Sequence, residues 1–279
     1  MRFARIGEPG AEVPAVSADG KTWLDLRPLA QDVTGELVAA SAGLDLAELP
    51  GLPVGPGTRF GPPLGRIGKI VCIGLNYRDH AAETGAEPPP EPVVFMKAPD
   101  TVVGPDDEVL VPRGSTKTDY EVELAVVIGR TARYLDSPAA AAGHIAGYAI
   151  SNDVSEREFQ IERGGQWDKG KNCETFNPFG PWIATADEVG DPQALGLRLS
   201  VNGESRQDGS TKNMIFDVAH VVWYLSQFMT LYPGDVINTG TPAGVAMGKP
   251  DPKPYLRPGD VVELEIDGLG RQRQTFGAA

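Results

Sequence analysis

Cysteine is nearly absent from this 279-residue chain: Cys72 and Cys173 are the only two. They allow no disulfide framework, which predicts a reducing, cytoplasmic setting. Three histidines limit imidazole chemistry to His80, His144 or His220. No apolar run approaches the roughly 20 residues of a membrane-spanning helix. The opening residues Met1-Arg2-Phe3-Ala4-Arg5-Ile6-Gly7 lack the apolar core of a signal peptide. No membrane partner is therefore expected. Basic charge is short as well, with 25 Lys and Arg against 38 Asp and Glu and a formal charge of −13. A phosphate backbone needs a basic footprint, so nucleic acid is excluded as a partner. An anionic substrate would have to be drawn in by local cations or a metal, not by the overall field.

Glycine and proline are abundant, at 34 and 25 residues. They predict many turns and a β-rich α+β fold, not a helical bundle. The length suits one large domain with a small appendage. Residues 1–65 read as a small β-rich unit and linker: Val13–Ser17 and Thr22–Leu26 flank an Asp19-Gly20 turn, and residues 50–65 are crowded with proline and glycine. Residues 66–279 form the main domain. Within it, Lys69–Gly74, Val93–Lys97, Glu108–Val111, Tyr148–Asn152, Leu195–Asn202 and Val261–Ile266 are strand-like. Asn76–Gly85 reads as a short helix closed by glycine, beside a proline-rich loop that could act as a lid. Residues 154–163 suit a helix with Ser155 as N-cap, and residues 164–181 read as irregular. Phe216–Phe228 is the strongest helix, with apolar residues at 218, 221, 222, 225 and 228.

One stretch organises the chemistry: Thr118-Asp119-Tyr120-Glu121-Val122-Glu123-Leu124-Ala125-Val126-Val127-Ile128-Gly129. In a strand, alternate side chains share a face, so Glu121 and Glu123 point the same way, about 7 Å apart. In an apolar strand the pair repels and each member costs free energy to desolvate. Either the strand end leaves both solvated, or a hard divalent cation sits between them. Asp153, after the strand-like Tyr148–Asn152, supplies a third carboxylate or else caps the next helix. Three carboxylates without Cys–His spacing favour magnesium, manganese or calcium over zinc.

His80 and Glu83 stand three residues apart, so on a helical turn the carboxylate can hold the imidazole as a base; a surface pair is the plainer alternative. Lys169 and Lys171 lie among glycine and aromatics, as a site wall or a solvated loop. Cys173 has no histidine beside it in sequence and reads as packing. The segment Thr239-Gly240-Thr241-Pro242-Ala243-Gly244-Val245 could offer backbone N–H groups and hydroxyls to a carboxylate.

Taken in order, Ile73-Gly74-Leu75-Asn76-Tyr77 with His80 and Glu83, Tyr120-Glu121-Val122-Glu123-Leu124, Asn152-Asp153-Val154-Ser155, Gly170-Lys171, Asn202-Gly203 with Arg206-Gln207-Asp208-Gly209, Met214-Ile215-Phe216 and Gly240-Thr241-Pro242-Ala243-Gly244-Val245 resemble the fumarylacetoacetate hydrolase family over about residues 68 to 276. The resemblance implies a mixed β-roll whose subunits pair as a homodimer. It implies Glu121, Glu123 and Asp153 as ligands of magnesium or manganese, and His80 with Glu83 as a water-activating dyad on a lid. Lys171 would be the cation near the reacting carbonyl. Gln207, Gly240 and Thr241 would contact a 2-oxo acid substrate, and Arg157 and Gln160 would face the site. Many relatives that cleave acylpyruvates have a basic residue where this chain has Leu75. Leu75 and Gln166-Trp167-Asp168-Lys169-Gly170-Lys171 look more like a bacterial branch with 2,4-dioxo sugar-acid hydrolases and proteins labelled ureidoglycolate lyase or 2-hydroxyhepta-2,4-diene-1,7-dioate isomerase. The activity implied is hydrolysis of the C3–C4 bond of a 2,4-dioxo acid. A lyase or isomerase on the same enolate, such as an oxaloacetate decarboxylase, is the first alternative. A non-catalytic β protein holding a structural cation is the second.

Overall fold

A computed structural model describes residues 1–279. The N-terminal part supplies β1 (Arg2–Ile6), β2 (Val13–Ser17), β3 (Trp23–Asp25), helix α1 (Gly35–Ala39), β4 (Gly51–Leu52) and β5 (Phe60–Gly61). Then come β6 (Ile70–Gly74), α2 (Arg78–Thr84), β7 (Val93–Lys97), β8 (Val102–Val103), β9 (Val109–Val111), β10 (Thr118–Asp119), β11 (Val122–Ile128), β12 (Ile145–Asn152) and β13 (Ser155–Glu156). The remainder holds α3 (Asp168–Lys171), β14 (Asn177–Thr185), α4 (Ala186–Val189), β15 (Gly196–Val201), β16 (Glu204–Ser210), α5 (Val218–Ser226), β17 (Val236–Asn238), β18 (Val261–Ile266) and β19 (Gly270–Ala278). The fold is α+β and β-rich, as the composition predicts.

The strands form a 12-stranded sheet with path β4-β3-β2-β1-β14-β12-β11-β17-β6-β7, and a 5-stranded sheet in the order β16-β15-β18-β19-β9. The large sheet is mixed: β11 runs antiparallel to β12 and β17, while β17 runs parallel to β6. Strand β11 lies at its heart and is buried on both faces, which is why it reads as an almost continuous apolar run. Its side chains divide by parity. Val122, Leu124, Val126 and Ile128 enter one core with Leu197, Leu199, Val262 and Leu264 of the second sheet, whereas Ala125 and Val127 enter another with Ile70, Cys72 and Val236. Burying each large side chain contributes about 1.5–3 kcal/mol. That depth of packing fixes the strand that carries Glu123 and begins directly after Glu121.

Residues 1–65 are joined to this sheet directly. Arg2 and Phe3 of β1 pair with Ala184 and Ile183 of β14. Strand β14 occupies part of the 164–181 stretch expected to be irregular. Its residues Asn-Pro-Phe-Gly-Pro-Trp hide a strand because both prolines sit where the ladder bulges or ends.

The helix expected over 154–163 does not form as such. Ser155 pairs in extended form with Asp119, and Glu156 with Thr118. The Ser155 hydroxyl donates back to the Asp153 carbonyl (3.0 Å) and caps nothing. One wide π-type turn follows over Glu158–Glu162, a form that recurs at functional sites. Helix α5 begins at Val218, capped by Asp217 accepting from the His220 N–H (2.7 Å). It ends before Phe228, which is 66% exposed and not on the buried stripe.

Candidate active site

Strand parity and the β11–β12 ladder build the acidic cluster. Val122 is opposite Asn152 and Glu123 is opposite Ser151. The Asp153 N–H then donates to the Glu121 carbonyl (2.9 Å), which brings Asp153 beside the two glutamates. Oxygens of Glu121, Glu123 and Asp153 all lie within 4.8 Å of one another, and all three residues are buried.

Three cations answer them. The Lys171 Nζ donates to Glu121 (2.7 Å) and Asp153 (2.8 Å). Lys97 donates to Asp153 (2.5 Å) and to the Val154 carbonyl (3.0 Å). Arg157 donates to Glu121 (2.6 Å), to Asp119 (2.9 Å) and to the Gln160 side-chain oxygen (3.0 Å). Glu123 has no side-chain cation. Its carboxylate accepts only the Gly240 N–H (2.8 Å). Burial opposes ionisation of Glu121, yet Lys171 and Arg157 hold its carboxyl down to about 2. For Glu123, burial and then the Asp153 and Glu121 charges push the carboxyl well above the usual glutamate range. Four buried carboxylates, counting Asp119, thus meet three cations, and Glu123 is the acid left over. An all-oxygen set with one uncompensated carboxylate fits a hard divalent cation. The residues present could hold one.

Above the cluster lies α2, closed by Gly85 in the left-handed conformation (φ 69°). His80 is 6% exposed, with Nδ1 3.5 Å from Glu83 Oε2. Glu83 is held from the other side by the Gly244 N–H, at 2.9 and 3.1 Å. A side chain at Gly244 would strike the Arg206 carbonyl, and its φ of +116° suits only glycine. Burial works against the Glu83 carboxylate, but His80, the Gly244 N–H and Lys249 hold its pKa below the usual glutamate range.

One cavity of about 150 Å³ gathers His80, Glu121, Glu123, Arg157, Gln160, Lys171, Gly240 and Thr241. Gln207 does not line this cavity, and its amide is engaged inside the protein: its oxygen accepts the Val122 N–H (3.0 Å), and its nitrogen donates to Thr241 Oγ1 and the Pro242 carbonyl (both 2.8 Å). It clamps the Thr241 segment to β11. Thr241 Oγ1 in turn donates to the Val122 carbonyl (2.9 Å), so the segment reaches the cavity as braced backbone.

Two site residues escaped the sequence reading. Lys97 is fully buried, and it alternates with exposed Val94 and Met96 on β7. That period-2 pattern, Phe95 and Lys97 inward, was the available signal. Asp119 is the second. It shares odd-number parity with Glu121 and Glu123, and it accepts from the Ala246 N–H (2.8 Å) and Met247 N–H (3.0 Å) as well as Arg157. It ties the Ala246-Met247 loop to the guanidinium that grips Glu121.

The apolar half of the cavity rests on Gly74. A β-carbon there would come within 2.4 Å of the Trp167 ring, which packs edge-on to Phe95 at 5.4 Å between centroids. Gly74→Ala is expected to displace the indole, raising KM by about tenfold with kcat less affected, since the wall and not the acidic cluster moves. Steady-state kinetics on the variant checks this; an unchanged KM would mean the ring is not part of the binding wall.

Comparison with known proteins agrees with this architecture. The chain is 52% identical over 275 residues to a 2,4-didehydro-3-deoxy-L-rhamnonate hydrolase from Sphingomonas sp. (strain SKA58), covering 98% of this chain and 95% of that one. Its structure is similar to a fumarylacetoacetate hydrolase from psychrophilic Exiguobacterium antarcticum (TM-score 0.86, 37% identity, 100% of both chains covered). It is also similar to a maleylpyruvate hydrolase from Sphingobium sp. SYK-6 in complex with manganese(II) and pyruvate (TM-score 0.81, 28% identity, 100% of both chains). Residues 69–277 match the model of the fumarylacetoacetate (FAA) hydrolase C-terminal domain, and with that match spanning the acidic cluster, helix α2 and Lys171, the chain belongs to the fumarylacetoacetate hydrolase family.

Proposed function

We propose that the chain is a divalent-metal-dependent hydrolase that cleaves the C3–C4 bond of a 2,4-dioxo acid, an acylpyruvate or a 2,4-dioxo-3-deoxy sugar acid. The products are pyruvate, or a related 2-oxo acid, and a carboxylic acid. The observation that carries the reading is the meeting of Glu121, Glu123, His80 and Lys171 at one cavity, with Asp153 grouped with the two glutamates and fully buried. A structural cation alone gives no reason for a buried histidine–glutamate pair across from it. The sugar-acid form draws further support from the Sphingomonas relative.

Glu121, Glu123 and Asp153 would hold magnesium or manganese, with calcium also compatible with the oxygen set. When bound, the cation would act as a Lewis acid toward the 2-oxo acid end of the substrate. His80, oriented by Glu83, takes a proton from water, and the hydroxide adds to the C4 carbonyl. Lys171 uses two of its three N–H donors on Glu121 and Asp153. The third is available to the oxygen that becomes negative at C4. The C3–C4 bond then breaks, C4 departs as the acid, and the proton held by His80 goes to C3. Helix α2 would act as the lid, and the subunits would pair as a homodimer.

The test is pyruvate release from 2,4-dioxopentanoate, followed through a coupled dehydrogenase with magnesium, manganese or EDTA. Release that EDTA abolishes supports the hydrolase. His80→Ala is expected to lower it by about 10²–10⁴-fold while metal affinity is retained. Pyruvate from oxaloacetate alone would make the chain a decarboxylase, and no pyruvate from either would direct attention to the isomerase.

A further inference from the structure

The cations on the cavity wall are few and already paired, and this bears on which acid it takes. Its ionisable lining is His80, Glu121, Glu123, Arg157 and Lys171. Arg157 and Lys171 are the only lysine or arginine side chains on the wall. Both are buried, at 3% and 2% exposure, and both are already paired with carboxylates. Lys249, the next cation outward, leans on Glu83 at 3.7 Å and does not line the cavity. Most of the remaining wall is apolar: Ile73, Leu75, Phe95, Ile161, Trp167 and Met247, with the Phe95 ring 4.9 Å from Lys171 Nζ. Gln160 adds a neutral donor beside Arg157: its oxygen is taken by that guanidinium, while its amide nitrogen has no protein partner and can donate to a substrate hydroxyl.

Charge counting leads to the same place. The linked set Asp119, Glu121, Glu123 and Asp153 with Lys97, Arg157 and Lys171 sums to one negative charge when all are ionised. A divalent cation turns that into one positive charge, which one substrate carboxylate neutralises. A second carboxylate would find no unpaired lysine or arginine on the cavity wall, and a charge desolvated there without a partner is strongly disfavoured.

We propose that this site selects 2-oxo acids with a single carboxylate and a compact, uncharged far end, one hydroxyl on that arm being matched by Gln160, and discriminates against dicarboxylates such as dioxo-diacids and dienedioates. The proposal rests on the 2-oxo acid reading above and narrows its substrate class.

Binding separates the two questions, because 2-oxo acids without a C4 carbonyl bind but cannot be hydrolysed. Calorimetry on the magnesium-loaded protein would compare 2-oxohexanoate with 2-oxohexanedioate, which differ only in the far carboxylate. The monoacid is expected to bind at least about tenfold more tightly. Equal or tighter binding of the diacid overturns the proposal, and so does binding of neither. Pyruvate release from 2,4-dioxopentanoate, run alongside, tests the hydrolase reading by itself. Ile161 is 46% exposed at the rim, so Ile161→Arg places a cation on the wall at little risk to folding, with the melting temperature as control. It is expected to shrink the ratio severalfold; an unchanged ratio in a folded variant would overturn the role given to the wall.

Discussion

Glu121→Gln is expected to lower pyruvate release from a 2,4-dioxo acid by at least about a thousandfold, and to lower stability at the same time. The two losses have separate causes. Turnover falls because the acidic cluster loses a charged donor for the cation and the anchor that positions Lys171. Stability falls because Lys171 and Arg157 each lose a buried partner 2.6–2.7 Å away. Breaking a buried ion pair costs about 3–5 kcal/mol; glutamine keeps one acceptor, which favours the lower end. The Glu121 carboxyl is depressed to about 2 from a usual 4.5. A depressed acid stabilises the fold above its unfolded-state value and loses that contribution as pH falls through its folded-state value. The parent protein should therefore lose stability between about pH 4.5 and 2, and the variant should lose less over that span. Thermal melts across acid pH with kinetics below the melting temperature check both parts. Wild-type turnover in a folded variant would end the assignment of Glu121 to the cation.

The second large effect concerns Glu123 and the stripped protein. Burial, Asp153 and Glu121 raise its carboxyl well above 4.5, so the sign is opposite. A raised acid retains its proton in the folded chain, and its contribution to stability is full below 4.5 and lost as pH rises through the folded-state value. Cation binding removes that proton. Metal affinity is thus expected to rise by up to about tenfold per pH unit until Glu123 ionises unaided. The gain in melting temperature on adding metal should grow over the same range. Calorimetry in two buffers of different ionisation enthalpy should find nearly one proton released per ion bound. Zero protons throughout, with unchanged affinity, would show that Glu123 is already ionised in the empty protein.

These two glutamates are legible in the sequence because a strand's parity is fixed by its backbone. So is the short helix of His80 and Glu83, since three residues is close to one helical turn. Other features depend on pairings far apart in sequence. Strand β14 is interrupted by Pro178 and Pro181 and gains its identity from its pairings with β1, β8 and β12. Ser155 looks like a cap until Asp119, 36 positions earlier, claims its backbone. Gln207 resembles a substrate contact because residue type alone does not reveal that three partners inside the protein consume its amide. Lys97 lies in plain alternation on β7, but its partner Asp153 lies 56 residues away.

The β11–β12 ladder has one more consequence. Glu121 and Glu123 meet Asp153 only while Val122 faces Asn152. A slip of one residue would turn both glutamates to the opposite face of the sheet and leave Asp153 alone. The cation site is in this sense a vernier on strand threading. In a refolded preparation, moles of ion retained per mole of chain would count the correctly threaded molecules, giving an active-site titration that needs no substrate.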